Sequence, residues 1–159
     1  MTAQMNGLIM SDLNIFLNER GSFMDSYKCT IADLAYYEKE KQIEVNVEIN
    51  DDDIEMSCEI DGVRFSEKGE YYFDTFQLFR DSLLEFGYGI KCNGSKLNAL
   101  QSGMQGFSDK IYLVEIGRQA LNKDVSNIWD YSDIKEFPSI NEQRAFANKW
   151  YKSLEEKNG

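Results

Sequence analysis

The sequence predicts an α+β fold: one antiparallel sheet of about five to seven strands, with about three helices packed mainly on one face. Three observations lead there. Residues 43–66 alternate apolar and polar side chains through three successive runs. Two later segments, 74–86 and 139–157, space large apolar residues as one face of a helix does. No linker, repeat or low-complexity tract breaks the 159 residues, so a single domain over 1–159 is expected.

Taken in order, Ser11 is placed to cap a short helix over 11–20, with Leu13, Phe16 and Leu17 as its apolar side and Gly21 as its stop. Residues 26–37 are ambiguous, because Tyr27, Cys29 and Ile31 alternate before the pattern dissolves. A three-stranded meander follows at 43–49, 54–60 and 63–66, its second turn carried by Asp61-Gly62. Asp74 and Gln77 form a capping box for a helix whose Phe76, Phe79, Leu83 and Phe86 share one stripe, with Gly87 ending it. Strands are expected at 88–92, 111–116 and 125–129. Ser139 and Glu142 then open a last helix, on which Phe146, Trp150 and Leu154 share a face. Core packing accounts for both aromatic stripes.

The meander has a chemical consequence. If residues 50–53 close its first turn, Ile49 opposes Ile54, Glu48 opposes Glu55, Asn46 opposes Ser57 and Glu44 opposes Glu59. Like charges directly across a ladder are destabilising by up to about 1 kcal/mol. Arg64, opposite Glu59 across the second turn, is the one compensation evident in the sequence. Glu44, Glu48 and Glu55 then line the polar face beside Asp51, Asp52 and Asp53 in the turn. Solvent can screen such a face, a basic protein can dock on it, or the carboxylates can act as a metal or acid/base site. The Asp51–Asp53 run lacks the glycine and ligand spacing of an EF-hand.

Charge and composition narrow the function classes. The chain carries 28 acidic and 17 basic residues, a net charge of −11. Residues 1–74 hold 17 acids against 6 bases, whereas 75–159 balance at 11 each. That field is the wrong sign for nucleic acid or an anionic membrane. With no histidine in the chain, Ser-His-Asp, Cys-His and His-zinc sites are excluded. Cys29, Cys58 and Cys92 lack metal-ligand spacing and read as reduced thiols. The first nineteen residues contain no Lys or Arg, and no window reaches about 18 apolar residues. A cytoplasmic location without a signal peptide or membrane span is therefore expected, as is the absence of a cofactor.

The long connection from Cys92 to Gly106 is the least ordinary stretch. Asn93-Gly94-Ser95 and Ser102-Gly103-Met104-Gln105-Gly106 could offer backbone amides to an anion, but match neither the P-loop nor the dinucleotide fingerprint. The Gly103–Gly106 spacing is that of an RNA-clamping GxxG loop, without its basic groove. A loop near eighteen residues exceeds the usual connection, and long loops are disproportionately functional.

Here the chain also resembles something known. Gly87-Tyr88-Gly89-Ile90-Lys91-Cys92-Asn93-Gly94-Ser95, then Ser102-Gly103-Met104, Tyr112 and Gly117, and a helix with Glu142, Gln143, Trp150, Ser153 and Leu154 resemble a pattern in a group of small uncharacterised bacterial proteins. The resemblance covers roughly 87–154 and implies no catalytic residues. The chain departs from it at Gln101, where the pattern has proline. More broadly, a small, acidic, histidine-free chain looks like the immunity proteins of bacterial toxin systems.

That resemblance implies a non-enzymatic inhibitor that neutralises a basic toxin by protein–protein binding. Glu44, Glu48, Glu55, Asp51, Asp52 and Asp53 would supply electrostatic recognition, and Ser102, Gly103 and Met104 a second contact. The alternatives are a carboxylate- or metal-dependent hydrolase and a self-associating assembly factor.

Overall fold

A computed structural model of the chain describes residues 15–17 and 22–158. The main sheet is built from β1 (Ile15–Leu17), β2 (Phe23–Asp33), β3 (Lys39–Ile49), β4 (Ile54–Ile60) and β5 (Val63–Gly69), hydrogen-bonded in that order and antiparallel throughout. A sixth strand, β6 (Tyr88–Ile90), shares the β1 edge of β2: β1 pairs with Phe23–Asp25 and β6 with Ile31–Asp33. A second sheet joins β7 (Ala99–Leu100), β8 (Lys110–Leu113) and β9 (Val125–Asn127). The helices are α1 (Tyr72–Glu85) and α2 (Ile140–Asn158).

The meander forms with the expected register. Ile49 opposes Ile54, Glu48 opposes Glu55, and Asn46 opposes Ser57. The β3–β4 ladder ends there, so Glu44 and Glu59 are not a register pair. Asp61 (φ 50°) and Gly62 (φ 82°) both adopt the left-handed conformation that a two-residue hairpin turn requires.

β3 starts at Lys39 although Lys39-Glu40-Lys41-Gln42 has no apolar alternation. Its pairing partner decides this. β2 and β3 form a continuous ladder from Phe23↔Ile49 to Asp33↔Lys39, and backbone hydrogen bonds carry the polar end along. The same ladder resolves the ambiguous 26–37 stretch into strand up to Asp33.

The helix expected over 11–20 is not present where it can be checked. Ile15–Leu17 are a strand pairing with β2; Ser11, Leu13 and Gly21 lie outside the described residues. Edge pairing with β2 overrides the spacing that predicts Phe16 and Leu17 on one helix face. The Asp74–Gln77 capping box is likewise replaced. α1 begins two residues earlier, and the Gln77 amide is buried in a hydrogen bond to Gln143 (2.9 Å). The second box forms: Ser139 N–H donates to Glu142 Oε1 (3.1 Å), and Glu142 N–H to Ser139 Oγ (3.3 Å).

α1 lays Phe76, Phe79 and Leu83 on the apolar face of the main sheet, among Val45, Val47, Ile54 and Met56. Phe86 falls off that stripe; it is exposed at the helix end, edge-on to Phe65. Gly87 at φ 96° closes the helix as expected. α2 packs elsewhere. Its Trp150, with Phe146 and Leu154, makes a separate small core with Leu100 of β7 and Val114, the residue after β8. The two helices therefore do not share one sheet face.

The second sheet reaches the main core through Ile111, Ile128 and Trp129. The Trp129 ring stacks on Tyr27 of β2 (5.2 Å between centroids) and stands edge-on to Phe76 of α1 (5.1 Å). Its indole N–H donates to the buried Tyr72 hydroxyl at 2.8 Å. Gly94 completes this centre. A Cβ there would come within 2.7 Å of Ile128 Cγ2 and 2.9 Å of Phe76 Cε2.

Arg80 of α1 is fully buried. Its Nε–H donates to Asp81 Oδ1 (3.0 Å) and its guanidinium lies over Phe76, while Nη1 and Nη2 find no acceptor among the described residues. Burial pushes its pKa down.

Two outcomes follow, both read by urea denaturation. Gly94→Ala should cost about 1–3 kcal/mol, because overpacking outweighs the usual gain from replacing glycine. Arg80→Met keeps the bulk and removes a poorly solvated charge. Asp81 stays partly exposed and keeps the Ile140 N–H, so stability should hold or rise by up to about 4 kcal/mol.

Candidate interaction surface

The polar face of the main sheet is less acidic than its β3–β4 pairing alone implies. Glu44 opposes Lys28 of β2, Glu59 opposes Arg64, and Glu55 opposes Lys68 of β5. The Glu55 carboxylate accepts the Ser66 hydroxyl (2.7 Å) and lies 4.0 Å from Arg64. The sequence pattern places Arg64 opposite Glu59, as found, but leaves out Lys28 of β2 and Lys68 of β5. Glu48, half-buried, is the carboxylate set against another, Glu55.

The turn after β3 is different. Asp53 is structural: its carboxylate accepts the Asn50 amide (3.0 Å), and Asn50 N–H donates to its carbonyl (2.9 Å). Asp51 and Asp52 project into solvent. With Glu70 and Asp74 at the start of α1, they make four exposed acids that have no ion-pair partner among the described residues.

Folding brings the other candidate segment to this end of the molecule. Ser102 N-caps a 3-10 turn, Gly103–Gln105, and its N–H donates back to Gln105 Oε1 (3.1 Å). Met104 rides on that turn fully exposed. Two contacts clamp the turn to α1: Tyr72 N–H donates to the Gly106 carbonyl (2.8 Å), and Phe73 N–H to Gln101 Oε1 (3.0 Å). The Gln101 amide also donates to the carbonyls of Ser108 (2.8 Å) and Lys110 (2.7 Å). Gln101, the departure from the proline pattern, thus uses its side chain to hold three stretches of backbone.

Phe107 then lies against Tyr71, with ring centroids 5.7 Å apart and both rings exposed. A cleft of about 200 Å³ opens beside Phe107, lined by Asn50–Ile54 and Glu70. Another of about 280 Å³ opens beside Tyr71, lined by Asp74, Gln101, Ser102 and Gly103. Asp51–Asp53 and Ser102-Gly103, some fifty residues apart in sequence, therefore flank one aromatic pair, and Met104 follows on the same turn. Tyr71, Phe107 and Glu70 were not legible as site residues; each looks like an ordinary boundary residue until the fold apposes them.

The Cys92–Ser95 stretch is core. Asn93 N–H donates to Asp130 O and Gly94 N–H to Ile128 O, both at 2.9 Å, so these amides are not available to an anion. Burial pushes the Cys92 thiol up to about 11, which keeps it protonated and unreactive at neutral pH. The long connection is shortened by β7 and two 3-10 turns. Gln143 of α2 pins it, donating to the carbonyls of Gly94 (2.9 Å) and Lys96 (2.7 Å).

One further acidic pair is formed by the fold. The Tyr27 hydroxyl donates to Asp25 Oδ2 (2.7 Å) and lies 3.4 Å from Asp109 Oδ2. Burial raises the Asp25 pKa, against the opposing effect of the Tyr27 hydrogen bond. Among the described residues no group of three or more His, Cys, Asp or Glu is arranged to hold a metal ion. No described helix is long and apolar enough to cross a membrane.

No protein-family model matches the chain, and no curated protein matches its sequence.

Gln101→Ala should release the 102–107 turn from α1. The Phe73 N–H and two carbonyls would lose their partner, for a cost of about 1–3 kcal/mol. Amide exchange should speed up at 102–107 while β3 and β4 keep their protection.

Proposed function

We propose that this chain is a non-enzymatic, acidic binding protein, of the immunity type, that neutralises a basic bacterial toxin by covering it. The observation that carries the reading is the cluster of uncompensated acids, Asp51, Asp52, Glu70 and Asp74, around an exposed aromatic pair. Charge there costs stability through mutual repulsion and is not offset by an ion pair among the described residues. A partner of opposite sign would offset it, and would be drawn in faster by it. The sheet-face carboxylates Glu44, Glu48 and Glu55 have a secondary role in this reading. Lys28, Arg64 and Lys68 dilute their field, so they add to long-range attraction more than to contact.

The preorganised turn at 102–106 supports binding over catalysis. Its hydrogen bonds hold Met104 outward, and the two clefts beside it are lined by the Ser102 and Tyr71 hydroxyls and by carboxylates, with no histidine in the chain to activate a hydroxyl.

The test starts from capture of the partner in extracts of the source cells, followed by reconstitution with the purified protein. Asp51→Lys with Asp52→Lys should slow association about tenfold or more at low salt, with the difference shrinking as salt is added. Neutralising Glu44, Glu48 and Glu55 to Gln should have a smaller effect. Lysine at those positions would face Lys28, Lys68 and Arg64 and confuse folding with binding. Co-production of wild-type chain should protect cells from the partner. An acidic partner, or no protection, would sink the proposal.

A further inference from the structure

We infer that the Tyr71–Met104–Phe107 patch is the affinity-determining contact, and that it takes a basic segment of the partner bearing one apolar side chain between flanking Lys or Arg residues. The inference rests on the binding-protein reading above and names the chemistry recognised at that same surface.

Three features carry it. Met104 is fully exposed on a turn that the Ser102–Gln105 capping box and the Gln101 clamp tie to α1. A large apolar side chain held outward gains the fold nothing, whereas an unbranched thioether suits an adaptable contact surface. Tyr71 and Phe107 meet with their rings tilted by 40°, leaving parts of both rings open to a visitor. Gly106 permits this: a Cβ there would press on the Tyr71 ring at 3.3 Å. Finally, the described charged residues that line the two clefts have one sign. Asp51, Asp52 and Glu70 stand on the Phe107 side and Asp74 on the Tyr71 side, within the two clefts that flank the rings.

An apolar centre with an ionic rim is the arrangement that concentrates binding energy in protein interfaces. The rim sets the occupant's charge, because an acidic or neutral segment would leave the carboxylates facing it without compensation. Arginine has a further use there, since its guanidinium can lie on an open aromatic face while reaching a carboxylate. The occupant is therefore a cationic segment with an aliphatic or aromatic residue at its centre.

The experiment uses the full chain labelled at its methionine methyl groups and observed by NMR. Met104 reports the patch, and buried Met56 is the internal reference. The probes are three soluble synthetic peptides: one leucine flanked by two arginines on each side, the same with serine for leucine, and the same with glutamate for arginine. The Arg–Leu peptide should shift Met104 and leave Met56 in place. It should bind about tenfold or more tightly than the Arg–Ser peptide, and the Glu–Leu peptide should not bind. Met104→Ser with Phe107→Ser, both at exposed positions, should erase the advantage of leucine over serine while leaving the weak attraction of the arginines.

Equal affinity for leucine and serine peptides would overturn the inference, as would an unchanged preference in the double variant. A Met104 shift that follows protein concentration alone would assign the patch to a second copy of the chain and overturn it too. The readout is separate from toxin capture. Failure of the peptides leaves the inhibitor reading standing, whereas a Met104-centred response without cell protection removes that reading and keeps the surface.

Discussion

The fold depends on one indole ring. Trp129 is the point where the main sheet, α1 and the second sheet meet: it stacks on Tyr27, abuts Phe76 and hydrogen-bonds Tyr72. A buried aromatic of this size carries a large apolar area, and its N–H must be satisfied once desolvated. Both demands are met by side chains from different elements, so the position of each constrains the others. The turn at Asn93–Ser95 enters the same centre from the other side, close enough that only glycine fits at position 94. This accounts for the Cys-Asn-Gly stretch in physical terms. The cysteine is a small buried apolar group, the asparagine and glycine amides bond the 128–130 backbone, and the serine is buried beneath them.

The second constraint is how backbone in the long connection is satisfied away from regular sheet. Gln143 and Gln101 do this with side-chain amides, each bridging segments far apart in sequence. Amide side chains donate and accept together, so a single residue can close several backbone groups that would otherwise be left unmade. The connection is thereby divided. Its first part, through Leu100, belongs to the core, and its second part is held at the surface by hydrogen bonds to α1. The candidate surface exists because of that division, since the clamp from Gln101 and Gly106 to the start of α1 sets Phe107 on Tyr71.

Electrostatics act on this frame unevenly. On the sheet, antiparallel neighbours place Lys28, Arg64 and Lys68 opposite glutamates, and solvent-exposed pairs of this kind contribute little stability but remove net charge from the face. At the 50–53 turn no ion pair to a cation forms among the described residues. The acids there keep their full field and sit next to apolar side chains that the core does not use.

By itself the sequence determined the α+β class, the register of β3 against β4, the Asp61-Gly62 turn and the helices near 72–85 and 140–158. These are local: period-two and helical spacing, a two-residue turn and a capping box act between near neighbours. It also determined the sign of the field and the absence of histidine chemistry, which are matters of composition. Only the tertiary structure decided that Ile15–Leu17 pair as a strand, that Lys39–Gln42 extend β3, and that α2 serves a second sheet, because each depends on a partner remote in sequence. Lys68 opposite Glu55 follows from the register of the Asp61-Gly62 hairpin, whereas Lys28, which tempers Glu44, was invisible for the same reason. So was the meeting of Asp51–Asp53 with Ser102–Met104, since no periodicity within either segment encodes the Tyr71–Phe107 contact that joins them.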